Sequence, residues 1–424
     1  MIGLIQLCMG GLLLLLGACA SNPTIADIAS TPPPGVHFGN EISLLDSATE
    51  KVAAHMTPDG RVHLIAIAAG DIAYHVVVSA QGVELRERIG SSRYGYYQNL
   101  AMSDDAQGRL HVALKDEHWI LERGAWHLAG KNACARLARA GDSLACALEV
   151  SGSELGTKAQ WGASIVGGPA AAIPIPYRVQ PSKLVLAKAI GDGWVYRSVL
   201  DHDLHYLVNL ETYDSGILVG DASGTFHLLF RAHEGNVSHV RYGTLTLDED
   251  GEADIEWRRP DDQAIKLRTA ESEPVRPGPS SFIPFADLAL AADPKTGKAL
   301  FFARRAEAGF ANWTDAAVEI LGGVYRQTAP IPVNNGNPKR LAPAGDERFH
   351  ALVSVHRSLL YLTYRAGHWS EPAWIGEFGT PSLSLIGDGS IQLASDGRSQ
   401  ALAIWPKRDG ALVGRWIEVD EISE

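Results

Sequence analysis

The sequence predicts an all-β chain closed on itself as a β-propeller, with seven blades the best-fitting count and six or eight left open. Three observations carry this expectation. A turn bearing Asp and Gly, then His or an aromatic, then a short apolar strand, recurs along the chain. The copies lie roughly 50 residues apart, the length of a blade made from four short strands. Beyond the N-terminal leader, no long apolar pattern of period 3.6 marks an amphipathic helix.

Composition bounds the alternatives. The 424 residues are 46% hydrophobic and 20% charged, which suits a large folded body and not a disordered chain. The formal net charge of −12 argues against a nucleic-acid partner, because phosphate binding needs a basic footprint. An acidic surface also keeps an envelope protein soluble, so it leaves the sign of any ligand open.

Residues 1–18 are an apolar leader, too short and too abruptly ended to span a bilayer. Leu16-Gly17-Ala18-Cys19 resembles the lipobox of bacterial lipoproteins. That resemblance implies cleavage before Cys19 and acylation of its thiol and amine. With Ala20 next, it also implies an outer-membrane address, periplasmic or surface-facing. Several acyl chains at about 0.8 kcal/mol per buried methylene make a stable anchor, where one chain binds only marginally. An ordinary signal peptide ending at a chance Cys is the alternative. Residues 19–36, with Pro32-Pro33-Pro34, read as an extended tether. That leaves 37–424 as one propeller domain.

The turn copies follow in order: Asp59-Gly60 with His63, Asp105 and Gly108 with His111, a degenerate Gly141-Asp142, and Asp221 and Gly224 with His227. Asp293 with Gly297, Gly345-Asp346 with His350, and Asp396-Gly397 complete the set. Asp accepts backbone N–H bonds in a tight turn and Gly permits positive φ, and Ca²⁺ binding is the other use of such a carboxylate. Val62 to Ala69, Leu144 to Leu148 and Ala401 to Trp405 are continuous apolar runs, as strands covered on both faces should be. Aromatics follow the copies: Trp119 with Trp126, Tyr242 with Trp257, Trp313, and Tyr361 with Trp369. Either Val36-His37-Phe38 or Ile42 to Leu45 can pair into the last blade and close the ring.

Two stretches depart from this rhythm, and one short segment is a candidate helix. Asp142 to Gly224 exceeds one unit, and Trp194-Val195-Tyr196 with His205 to Val208 suggests an incomplete extra blade. Residues 258–281 are polar and Pro-rich and read as a long exposed loop. Ala303 to Ala308, the best local helix candidate, reads as a hairpin tip.

Cys134 and Cys146 flank Ala140-Gly141-Asp142 almost symmetrically, which sets them opposite each other on a hairpin. In an oxidising periplasm a disulfide is the expectation. A metal or redox role lacks a nearby His or second Cys pair.

The copies resemble the loosely defined repeats of sialidase-like and related bacterial envelope propellers, across roughly residues 48–420. Asp293 to Phe301 also looks like one quinoprotein-type propeller repeat. A sialidase would need clustered arginines, a Tyr nucleophile and placed carboxylates. Arg136, Arg231, Arg304, Arg305 and Arg365 are present, but nothing local groups them.

Candidates for chemistry are few, and no catalytic residue is assigned. His63, His111, His227 and His350 share one repeat position, and either serve the repeat or converge on the axis around a metal. Asp201, Asp203 and His205, with His202, are the densest set of possible metal ligands; a solvated turn is the blander reading. Arg93, Tyr94, Tyr96 and Tyr97 ahead of a blade suit a sugar or peptide site, or an ordinary aromatic loop. No cofactor is implied beyond that possible metal. The reading is an anchored propeller that binds an envelope protein or glycan; the alternative is a carbohydrate-active hydrolase or lyase.

Overall fold

The computed structural model of the protein describes residues 31–420 except 92–99, 152–157, 166–171, 208–215, 259–288, 307–312, 380–390 and shorter gaps of one to three residues. Seven antiparallel sheets form seven blades. Their inner strands are Thr49–Met56, Leu100–Asp104, Arg136–Ala140, Gly216–Gly220, Leu290–Ala292, Asn337–Pro343 and Gln392–Ser395, for blades 1 to 7 in order. Each touches the next, and the seventh touches the first, so the ring closes.

Closure comes from the N-terminus. Val36–Leu45 is the outer strand of blade 7 and pairs Leu412–Val419, with Val36 opposite Val419 and Ile42 opposite Gly414. Both sequence candidates for the closing strand therefore belong to one strand.

The core lies between blades, and this explains the continuous apolar runs. In blade 1, Val62, Leu64 and Ala66 pack toward blade 7, while Ile65 and Ile67 pack toward blade 2. In blade 7, Leu402 and Ile404 face blade 1, while Ala401, Ala403 and Trp405 face blade 6. Alternate side chains serve opposite neighbours, so both faces must be apolar.

Three expectations need correction. The long stretch after Asp142 builds no extra blade. It lengthens blade 3 into five strands, with Ala172–Ile190 pairing Ser143–Ser151, Lys158–Ile165 and Gly193–Leu207. Asp201 to His205 accordingly lie in a strand and not a turn. Ala303 to Ala306 are strand too, within Ala299–Ala306.

Cys134 and Cys146 are bonded, with Cα atoms 5.7 Å apart. The geometry differs from the hairpin expectation. The turn is Gly141-Asp142, so Cys146 stands opposite Leu137, and Cys134 reaches it from just ahead of the inner strand.

Candidate functional site

The repeat histidines are built into polar relays inside the blades. Each sits on the second strand, diagonal to a polar residue on the third. His63 Nδ1 is 3.0 Å from His75 Nε2, His111 Nδ1 is 2.8 Å from His118 Nε2, and His350 Nδ1 is 2.7 Å from the Tyr361 hydroxyl. His227 Nδ1 meets the Tyr242 hydroxyl in the same way. All four histidines are buried.

The position of the carboxylate sets the direction of each relay. In blade 2, Asp105 Oδ2 lies 3.0 Å from His111 Nε2. Burial pushes the Asp105 pKa up, but bonds from His111 and Arg109 outweigh it and hold the group below its usual range. An ionised Asp105 only accepts, so His111 Nε2 donates to it and His111 Nδ1 accepts from His118. His118 Nδ1 in turn accepts from Trp194 Nε1 at 3.2 Å. Blade 4 repeats the direction through Asp221, His227 and Tyr242.

Blade 1 runs the other way. The turn position occupied by Asp105 and Asp221, six residues before the His, is Thr57 there. The carboxylate is instead Glu87 on the outer strand, which accepts from His75 Nδ1 at 2.8 Å. His63 Nδ1 must then donate to His75 Nε2. Burial, together with the neighbouring His75, lowers the His63 pKa from 6.5 to about 4.

In blade 6 that turn position is Ala344. The fully buried His350 Nε2 has no partner among the described residues. Burial takes its pKa down to about 3. Blade 5 has no relay His; buried Lys298 lies 3.1 Å from both Glu319 and Glu347, and the Tyr364 hydroxyl donates to Glu319.

An aromatic of the following blade covers the far end of each relay. Trp126 of blade 2 packs edge-on against His75 at 5.1 Å, and Trp194 of blade 3 against His118 at 5.2 Å. Phe301 of blade 5 stacks on Tyr242 at 6.3 Å, and Phe38 of blade 7 meets Tyr361 at 5.4 Å. Tyr364 of blade 6 does the same for Glu319. The relays are therefore clamps between blades, and the histidines do not meet at the axis. Among the described residues, no group of three or more His, Cys, Asp or Glu is placed to hold a metal. Sequence spacing marked the second-strand histidines and picked out Tyr242, Tyr361, Trp126 and Trp194 as aromatics, but not that these bond or cover the relays.

The two faces of the ring differ. At one face the first-to-second and third-to-fourth strand turns are short and bonded to one another. His55 lies 3.1 Å from Asp104, and Arg139 pairs with Asp104 at 2.9 Å, linking blades 1, 2 and 3. Burial again works against the charge, but His55 and Arg139 hold the Asp104 pKa below its usual range. Gly141 N–H donates to Asp221 O, Ala222 N–H to Pro294 O, and Glu347 N–H to Asp293 Oδ2, linking blades 3 to 6. The Ser395 hydroxyl donates to Pro343 O and links blades 6 and 7. Higher up, Gln392 Nε2 donates to Val52 O and completes the circuit to blade 1.

The opposite face receives every blade-to-blade connection and every second-to-third strand connection. The 19-residue strand Ala172–Ile190 also begins beyond this face, where it pairs Lys158–Ile165 and the far half of Gly193–Leu207. Arg93, Tyr94, Tyr96 and Tyr97 lie outside the described residues, but their flanks Ser91 and Leu100 stand on this face. Cys19, residues 259–281, and the side chains of Asp201, Asp203 and His205 are likewise outside the described residues.

A polar cleft of about 300 Å³ opens on the turn face between blades 4 and 5. Ser223, Thr225, Thr244, Lys295 and Thr296 line it, and His227 and Tyr242 form its floor. Asp221, His227 and Tyr242 are bonded in series beneath the cleft, with the Asp221 and His227 side chains almost wholly buried.

No family model matches the sequence, and no curated protein matches it. Solved structures do. A virginiamycin B lyase from Staphylococcus aureus aligns over 91% of this chain and 100% of its own, with 11% identity and a TM-score of 0.50. The polysaccharide lyase Uly1 aligns over 90% of this chain and 99% of its own, with 9% identity and a TM-score of 0.52. At such identity the likeness establishes the fold, a β-propeller, and not the activity.

Proposed function

We propose that the chain is a lipid-anchored, non-catalytic propeller that binds an envelope protein or glycan through its loop-bearing face. The asymmetry of the ring carries this reading. One face is spent on short turns bonded to their neighbours. The other collects all the long connections, and binding residues are drawn from such loops on a rigid scaffold. The lipobox resemblance at Cys19 supports the anchor, and the net charge of −12 argues against nucleic acid as the partner.

The second reading is a carbohydrate-active hydrolase or lyase. Two propeller neighbours are lyases by name, which supports only that the scaffold can host such chemistry. Against it, the four repeat histidines are buried inside their blades.

Two measurements separate the readings. Detergent extracts of membranes passed over the immobilised chain should yield a retained protein or glycan. Replacing Arg93, Tyr94, Tyr96 and Tyr97 by Gly and Ser should release it, while Lys295→Ala should not. Release of unsaturated or reducing ends from polysaccharides would instead establish the enzyme.

A further inference from the structure

The position of the closing strand determines how an anchored ring meets its membrane. Val36 is opposite Val419, at the end where the third strand of blade 7 finishes, so the chain enters the ring on the turn face. Asp420 N–H donates to Gly35 O and Val36 N–H to Pro33 O, fixing the last residues before the strand. We propose that the turn face looks at the lipid surface and the loop-bearing face looks away from it. This rests on the anchor reading of Cys19.

Chain length supports the orientation. Seventeen residues carry the chain from Cys19 to Val36, a reach of at most about 60 Å. The inner strands reach 8 residues, so the ring is about 26 Å thick before its loops are added. Bringing the loop face to the bilayer would use about half of that reach on crossing the ring alone.

The make-up of the turn face is compatible with that placement. Four large apolar side chains are exposed among the described residues, and two of them, Ile190 and Leu321, end third strands on the turn face. Two separate tips form no patch, but on a face held beside the bilayer by its tether they meet headgroups without penalty. The acidic turn Asp248-Glu249-Asp250 between them keeps that contact shallow, because a carboxylate gains nothing from entering the interface. The face rests against headgroups and does not insert.

The test uses the full lipidated chain in zwitterionic phosphatidylcholine vesicles containing a nitroxide-bearing lipid. Cys19 is acylated and Cys134 is bonded to Cys146, so one introduced thiol can be labelled selectively. A fluorophore at Glu249→Cys reports the turn face, and one at Arg408→Cys reports the loop-bearing face. Quenching at the Glu249 site should exceed that at the Arg408 site several-fold. Equal or reversed quenching on a chain that floats with the vesicles overturns the orientation alone. A chain that fails to float, or that floats equally well as Cys19→Ser, overturns the anchor and the orientation with it.

Discussion

Asp105→Ala tests whether the relays are structural clamps. Asp105 accepts Gln107 N–H at 3.0 Å, Arg109 N–H at 2.8 Å, Arg109 Nε at 2.7 Å and His111 Nε2 at 3.0 Å. Its removal leaves a donor on the buried His111 without an acceptor, at about 1–3 kcal/mol. The charge-assisted turn bonds add about 1–2 kcal/mol. The expected loss is about 4 kcal/mol. Asp396 is the control. It accepts only Arg398 N–H at 2.7 Å and Gln400 N–H at 3.1 Å, near solvent, so Asp396→Ala should cost about 1 kcal/mol. Urea unfolding followed by tryptophan fluorescence reads both variants. A double variant, Asp105→Ala with His111→Leu, removes the stranded donor along with its acceptor. It should be less destabilised than the sum of its two single variants by at least 1 kcal/mol. Equal losses for Asp105→Ala and Asp396→Ala, with no coupling to His111, would refute the clamp.

Three further outcomes follow from the same structure. Ala344→Asp places an acceptor where Asp105 and Asp221 stand and should stabilise the fold by about 1 kcal/mol, read as a higher urea midpoint; a lower midpoint would show that the site is too tight. His63 and His350 have folded pKa values of about 4 and about 3, below the 6.5 of the unfolded chain. Their stabilising effect is therefore complete above pH 6.5 and is lost as pH falls through that window, His63 accounting for about 3 kcal/mol by pH 4. A urea midpoint unchanged between pH 7 and pH 4 would contradict it, and His63→Gln should flatten the profile. Reducing the Cys134–Cys146 bond, which spans 12 residues, should lower stability by about 3 kcal/mol in a denaturation series with and without reductant.

Much of the architecture was legible because it repeats. Turn glycines such as Gly108, Gly224 and Gly397 adopt positive φ, and their spacing revealed the blades. The run Ala401 to Trp405 revealed strands covered on both sides. The closing strand was legible because a ring must dispose of its edges. The relays were half legible. His63, His111, His227 and His350 keep a fixed distance from their turns, but His75, His118, Tyr242 and Tyr361 lie across hairpins of differing length. Their covering aromatics come from another blade, so Trp126 and Trp194 could be noticed in the sequence but not what they cover. Blade 3 misled because a long unit can add strands to one sheet as readily as it can add a sheet. The cysteine register misled because the turn centre lay one to two residues from the assumed position.

The seam of this ring has a consequence for how the molecule is made. His37 and Asp420 bond across 383 residues, so the first strand synthesised waits for the last before it has a partner. Until then, the second strand of blade 7 exposes an unpaired edge and Val36–Leu45 has no sheet to join. Losing a dozen residues from the C-terminus would therefore do more than shorten one sheet: it would strip Val36–Leu45 of its partner and leave adhesive edges in blade 7, a substrate for proteases and for its own copies.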